Sequence, residues 1–196
     1  MDVADYFERE LRQHLDIVRL VGDELGERLA TATRICADAL DHGNKLLFFG
    51  NGGSAADAQH FAAELVVRYR ADRPALAAIA LTTDSSALTA CANDLGYEQV
   101  FARQIEALGR PGDVAIGSST SGRSPNVALA FRTARRLGLE TVALTGGDGG
   151  ELVPLVDVAL VVPSDVTARI QEVHLLLGHT LCGALEARAI LERERR

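Results

Sequence analysis

Lys45-Leu46-Leu47-Phe48-Phe49 runs directly into Gly50-Asn51-Gly52-Gly53-Ser54. A short apolar run without alternation marks a strand covered on both faces, as in a parallel sheet. The glycine-rich loop turns the chain, and residues 54–69 then show amphipathic helical spacing. The same unit of strand, small-residue loop and helix recurs downstream. Asp113-Val114-Ala115-Ile116 precedes Gly117-Ser118-Ser119-Thr120-Ser121-Gly122. Thr141-Val142-Ala143-Leu144 precedes Thr145-Gly146-Gly147-Asp148-Gly149-Gly150. Val158-Ala159-Leu160-Val161-Val162 is closed by Pro163, and Ala77, Ile79 and Leu81 suggest one more strand. Helical stretches are expected over residues 85–108, 124–137 and about 167–192. Strands alternating with helices predict an α/β sandwich around a parallel sheet. No linker or repeat divides residues 1–196, so one domain is expected.

Upstream, the first forty residues are helical in pattern. Phe7, Leu11, Leu15, Val18, Val21, Leu25 and Leu29 recur at three- or four-residue steps. A second helix is expected from about Thr31 to Asp41, ending at Gly43. The long first helix can pack on its own fold or seam against another subunit, and residues 1–43 are read as an oligomerisation segment.

Composition narrows the function classes. The 196 residues suffice for one good core. They are 47% hydrophobic and 24% charged, which argues against disorder. With 20 basic against 27 acidic residues the net charge is -7, a poor basis for gripping a nucleic-acid backbone. Cys36, Cys91 and Cys182 form no metal or disulfide pattern and read as reduced thiols of a cytoplasmic protein. The N-terminus lacks the apolar segment of a signal peptide. No apolar run reaches the roughly 18 residues of a membrane span, so no membrane partner is expected.

In open parallel sheets ligands sit beyond the carboxyl ends of the strands. Glycines there let backbone approach a ligand, and helix N-termini offer free N–H groups to an anion. Ser119-Thr120-Ser121-Gly122-Arg123-Ser124 adds hydroxyl donors, which suits a phosphate monoester. The same residues also describe an ordinary turn with Ser124 capping a helix that starts at Pro125. No Walker or dinucleotide fingerprint is present. His60 and Glu64 share one face of the helix that opens after the first loop. That spacing serves two ligands of one metal, an acid–base couple, or a plain surface pair. Gln171 and His179 share a face of the last helix but lie about 12 Å apart along its axis, wide for a shared ion. His174 lies off that stripe, and His14 and His42 have no evident partners.

Several segments are recognisable together. FFGNGGSAADAQHFAAEL (Phe48 to Leu65), LTACAND (to Asp94), GYEQVFARQIEALGRPGD (to Asp113), SSTSGRSPN (to Asn126), LTGGDGGEL (to Leu152) and TARIQEVHLLLGHTLC (to Cys182) closely resemble bacterial phosphoheptose isomerases. These belong to the sugar isomerase (SIS) superfamily. The resemblance spans nearly the whole chain in order. It implies a five-stranded parallel sheet in a three-layer αβα sandwich, a homotetramer, and conversion of sedoheptulose 7-phosphate to glycero-manno-heptose 7-phosphate in heptose biosynthesis.

The resemblance also implies site residues. Ser119, Thr120, Ser121 and Ser124 match phosphate-binding positions. Asn51, Gly52, Gly53, Asn93 and Asp94 match positions lining the sugar, with Ser54 beside them. His60, Glu64, Gln171 and His179 match a zinc site, one ion per subunit. Glu64 and His179 also match the pair assigned to proton transfer, and Glu64 and Gln171 are counted among the substrate contacts. Two positions depart from the usual pattern: Ser118 replaces a frequent isoleucine and Arg123 a frequent asparagine. A related scaffold that binds the replication initiator, and other phosphosugar-binding SIS proteins, are the alternatives. The presence of both Glu64 and His179 favours the enzyme.

Overall fold

The computed structural model describes residues 2–194. Five parallel strands form one sheet in the order β2-β1-β3-β4-β5. They are β1 (Leu46–Gly50), β2 (Ala78–Ala80), β3 (Val114–Ser119), β4 (Glu140–Gly146) and β5 (Val158–Val162). The apolar runs behave as the pattern requires: β1 and β3 are buried throughout. Successive side chains point to opposite faces. Leu46 and Phe48 therefore join one core with Ile116, Leu144 and Leu160. Leu47 and Phe49 join the other with Ala115 and Ala143.

Helices cover both faces. α1 (Val3–Glu24), α2 (Gly26–Asp41), α3 (Gly53–Val66) and α7 (Thr167–Glu194) contribute to the first core. α4 (Ser85–Asp94), α5 (Ala102–Leu108) and α6 (Pro125–Arg136) enclose the second. The result is the expected three-layer α/β sandwich.

Two helix boundaries differ from expectation. The first helix ends at Glu24, and the second begins at Gly26 rather than near Thr31. Leu25 bends the chain at φ -102° and is itself buried, so Leu29 belongs to α2. The expected continuous helix over residues 85–108 is broken in three: α4, a 3-10 turn at Tyr97–Gln99, and α5. Gly96, at φ +98°, causes the break, since this conformation suits glycine and no helix can run through it. The break places the Tyr97 ring beside the first loop.

The strand order reverses direction between β1 and β3. This is the switch point at which open α/β sheets leave a crevice. The register pairs Gly50 with Ser118, Ser119 with Thr145, and Gly146 with Val162. The loops following β1, β3, β4 and β5 therefore emerge along one edge. The protein's single lysine, Lys45, anchors the opposite edge through a 2.6 Å pair with buried Asp113.

Candidate active site

α3 and α7 run side by side, because small residues let them approach. Gly178 of α7 lies flat on the Phe61 ring: a Cβ there would stand 2.1 Å from Phe61 Cζ. This contact brings the next residue, His179, onto α3. His60 Nε2 and His179 Nε2 are 2.8 Å apart. Glu64, one turn beyond His60, sets Oε1 3.6 Å from His60 Nε2. One donor atom from each of His60, Glu64 and His179 lies within 4.8 Å of the others. Spacing alone left the His60–Glu64 pair open between site and surface; the third residue arrives from a different helix.

The donor set suits a divalent metal of the zinc type, two imidazoles and a carboxylate. One observation supports that fit. Glu64 Oε2 is buried and has no hydrogen-bond partner among the described residues. A buried carboxylate oxygen without a donor is costly unless a cation or proton meets it.

Three further residues shape this cluster, and the sequence reading missed them. Asp57 stands one turn before His60. Burial pushes its carboxyl pKa up, while His60 and His179 pull it down, with a net upward shift. Arg73, its side chain fully buried, donates to the Glu64 carbonyl at 2.7 Å and the Leu65 carbonyl at 2.6 Å. It thereby caps the end of α3 that carries Glu64. Arg73 in turn faces Glu186 of α7 at 3.6 Å. Glu186 accepts the backbone N–H groups of Tyr69, Arg70 and Ala71. Burial raises the Glu186 pKa, but those N–H groups and Arg73 outweigh it and hold it below the ordinary value. An isolated arginine after a helix gives no hint of this clamp, because its partner lies far along the chain.

At the switch point, Asn51 and Asn126 exchange amide hydrogen bonds. Asn51 Nδ2 donates to Asn126 Oδ1 at 2.9 Å, and Asn126 Nδ2 donates back at 2.8 Å. The Tyr97 hydroxyl also donates to Asn51 Oδ1 at 3.0 Å. Asn126 and Tyr97 both lie in recognisable segments, yet neither was assigned a part. Gly52, at φ +55°, and Gly53 open α3. Ser54 is buried against Gly50.

The serine loop forms the next wall. Ser124 occupies the N-cap position of α6 with Pro125 in the first turn, but its side chain makes no capping bond. Its hydroxyl instead lies 2.8 Å from that of Ser119. The α6 N–H groups therefore stay uncapped by Ser124, a feature that an ordinary capped turn lacks. Thr120 and Ser121 line a cleft of about 420 Å³ with Gly146, Gly147, Thr167 and Ile170.

Not every expected residue joins these groups. Gln171 lies against Gly53, where a Cβ would be 2.6 Å from its Nε2. It is thus two turns of α7 away from His179. Asn93 donates to Asp94 at 2.7 Å on the exposed end of α4. Asp94 lines a separate groove with Leu95, Arg103 and Gln104. His174, off the stripe of Gln171 and His179, is fully buried, with Nε2 3.2 Å from the Thr145 carbonyl.

Comparison with known proteins finds relatives along most of the chain. A family model described as SIS domain matches residues 11–146. A phosphoheptose isomerase from Paramagnetospirillum magneticum is 57% identical over 187 residues, covering 95% of this chain and 97% of the relative. One from Helicobacter pylori strain P12 is 51% identical, covering 94% and 96%. The solved structure of phosphoheptose isomerase GmhA from Neisseria gonorrhoeae superposes with a TM-score of 0.90 at 42% identity, covering 95% of this chain and all of that one.

Proposed function

The chain belongs to the phosphoheptose isomerase family of SIS-domain proteins, and from that premise we propose how its own residues carry the reaction. It is an aldose–ketose isomerase of heptose biosynthesis, converting D-sedoheptulose 7-phosphate to D-glycero-D-manno-heptose 7-phosphate. The observation that supports this reading most is the convergence of His60 and Glu64 of α3, the helix that opens from the first loop, with His179 of α7. A scaffold or a sugar-phosphate sensor has no need of that trio.

The phosphate is placed at the serine loop. Hydroxyls of Ser119, Thr120, Ser121 and Ser124 receive it without a large basic patch, beside the first turn of α6, where Pro125 has no N–H and Asn126 Oδ1 already accepts the Val127 N–H at 3.0 Å. Binding at that remote end fixes the reacting carbons. Asn51, Gly52 and Gly53 are the proposed sugar contacts of this loop, with buried Ser54 behind them and Asn126 and Tyr97 holding the Asn51 amide in one orientation. Asn93 and Asp94, which match sugar-lining positions of the family, stay in the proposal as sugar contacts although they stand apart from this cluster, at a separate groove along α4.

The reaction moves one proton between neighbouring carbons. A base takes a proton from C1 of the ketose while an acid protonates the oxygen at C2, giving an enediol. A proton then returns to C2, and the C1 hydroxyl loses its own to leave the aldehyde. Glu64 is assigned as the base and His179 as the acid. The two Glu64 oxygens have different surroundings: one faces His60, and the other is buried without a partner. One carboxylate can thus hold a cation and still offer an oxygen to a proton.

Zinc, one per subunit, is the proposed cofactor, with His60, Glu64, His179 and Gln171 as ligands. Gln171 would have to turn its amide from Gly53 along α7. When bound, the ion supplies Lewis acidity toward the oxygens at C1 and C2.

The working unit is proposed to be a homotetramer built on the N-terminal helices of residues 1–43, with a neighbouring subunit bordering each site. α1 supports this reading. Val3, Phe7, Leu11 and Leu15 recur every four residues and are exposed, whereas Ile17 and Val21 are buried. The helix is meanwhile fixed to the body: Arg169 of α7 donates to the Glu10 carbonyl at 2.8 Å and pairs with Glu10 Oε2 at 3.1 Å, and His14, which showed no partner in the sequence, lies 2.8 Å from Glu172 of α7.

No helix among the described residues is long and apolar enough to cross a membrane. All three cysteines are buried and unpaired, and burial pushes the Cys36 and Cys182 thiols up to about 12. Inert thiols fit a cytoplasmic protein. The experiment that tests the whole reading is conversion of sedoheptulose 7-phosphate by the purified protein.

A further inference from the structure

We propose that Arg123 is a phosphate-binding side chain in this protein, held in reserve by Asp148 and handed to the phosphate when the substrate arrives. The inference rests on the phosphate reading of the serine loop and adds to it the charged side chain of that loop.

The cleft along the ends of β3, β4 and β5 includes Arg123, Asp148 and Asp165 in its lining. Arg123 is the one cationic side chain in that lining, against two carboxylates. Its guanidinium donates from Nη2 to Asp148 Oδ2 at 2.6 Å and from Nη1 to the Ser121 carbonyl at 3.0 Å. Its backbone N–H donates to the Ser121 hydroxyl at 3.2 Å. Arg123 is therefore attached on both sides to a residue of the phosphate loop. The hydrogen bond that Arg123 donates to Asp148 lowers the Asp148 pKa and raises the Arg123 pKa, so the pair stays charged.

The pair is not what holds the two loops together. Gly122 and Gly149 meet through their backbones: a Cβ on Gly122 would lie 2.1 Å from the Gly149 carbonyl oxygen. Glu151 N–H also donates to the Gly122 carbonyl at 2.9 Å. The side chains of Arg123 and Asp148 are 55% and 67% exposed. An ion pair so open to water is weak and exchanges readily.

A phosphate dianion is a stronger partner for the planar guanidinium fork than one carboxylate. Its arrival would move Arg123 from Asp148 to the phosphate. A weaker anion that cannot win the arginine leaves it paired with Asp148, which makes the pair an element of selectivity for the dianion.

The test is titration calorimetry with inorganic phosphate at fixed ionic strength, on wild type, Arg123→Asn, Asp148→Asn and the double variant. Asparagine at 148 retains an acceptor for the Gly150 N–H, which Asp148 Oδ1 now receives at 2.9 Å. Arg123→Asn should weaken phosphate binding about three- to tenfold, and Asp148→Asn should tighten it about two- to fivefold. In the double variant the gain from Asp148→Asn should vanish, because no arginine remains to be released. The proposal is overturned by unchanged affinity in Arg123→Asn, by no tightening in Asp148→Asn, or by equal tightening with and without Arg123. Absence of phosphate binding by the wild type overturns it as well. Phosphate binding needs no turnover. The expected pattern in a protein that fails to convert the heptulose phosphate would sink the isomerase reading alone.

Discussion

His60 Nε2 and His179 Nε2 stand 2.8 Å apart, although 119 residues separate them in the chain. Two neutral imidazoles at that distance share a single proton, whereas a cation between them and Glu64 would use both lone pairs. His60→Ala should therefore lower zinc affinity by at least about tenfold. Metal analysis after mild purification checks this, and equal zinc in both proteins would remove His60 from the ligand set.

The same juxtaposition depends on a glycine. A methyl group at Gly178 would lie 2.1 Å from Phe61 Cζ and 2.2 Å from Phe61 Cε1. α3 and α7 would have to separate. Gly178→Ala should destabilise the fold by about 1–3 kcal/mol, as overpacking typically does. Urea unfolding measures this, and zinc affinity should fall in parallel. An unchanged unfolding midpoint would contradict the close packing of the two helices.

His174 provides a pH signature. Burial pushes its pKa down from 6.5 to about 4, against a smaller upward pull from the Thr145 carbonyl. Between those values the unfolded chain binds a proton that the folded chain does not. The contribution is thus fully present above pH 6.5 and is lost as pH falls toward 4, by about 3 kcal/mol at most. His174→Gln should flatten this slope in chemical unfolding measured across pH 4–7. An identical slope in the variant would assign the effect elsewhere.

Leu11 and Leu15 are 43% and 46% exposed on α1. Leu11→Glu with Leu15→Glu should dissociate a tetramer without unfolding the subunit, since neither side chain is in the core. Sedimentation reads the outcome directly. A wild-type protein that sediments as a stable monomer would contradict the assembly built on α1.

Much of this architecture was legible in the sequence. Apolar runs followed by small-residue loops located the strands, because the middle of a strand buried on both faces is apolar without alternation. Helix ends were harder. Gly96 breaks a stretch whose helical periodicity looks continuous, and Gly26 rather than Thr31 marks the start of α2. Both glycines were visible, but apolar spacing outweighed them. At the site, i,i+4 spacing paired His60 with Glu64 without showing which face they took. The family resemblance named His179 beside them, and the packing of α7 on α3 is what brings it there. Arg73, Glu186 and Asp57 were illegible because their importance lies in contacts between distant segments. Arg123 was legible as a departure, but its pairing with Asp148 required the approach of two glycine loops.

The most direct measurement is the isomerisation itself, with purified protein, sedoheptulose 7-phosphate and zinc, comparing wild type with Glu64→Gln. The wild type should form glycero-manno-heptose 7-phosphate. Glu64→Gln should still bind the substrate while losing about 10²–10⁴-fold in turnover, the range expected when a general base is removed. No product from the wild type would contradict the isomerase account. Near-normal turnover in Glu64→Gln would contradict the place of Glu64 as the base.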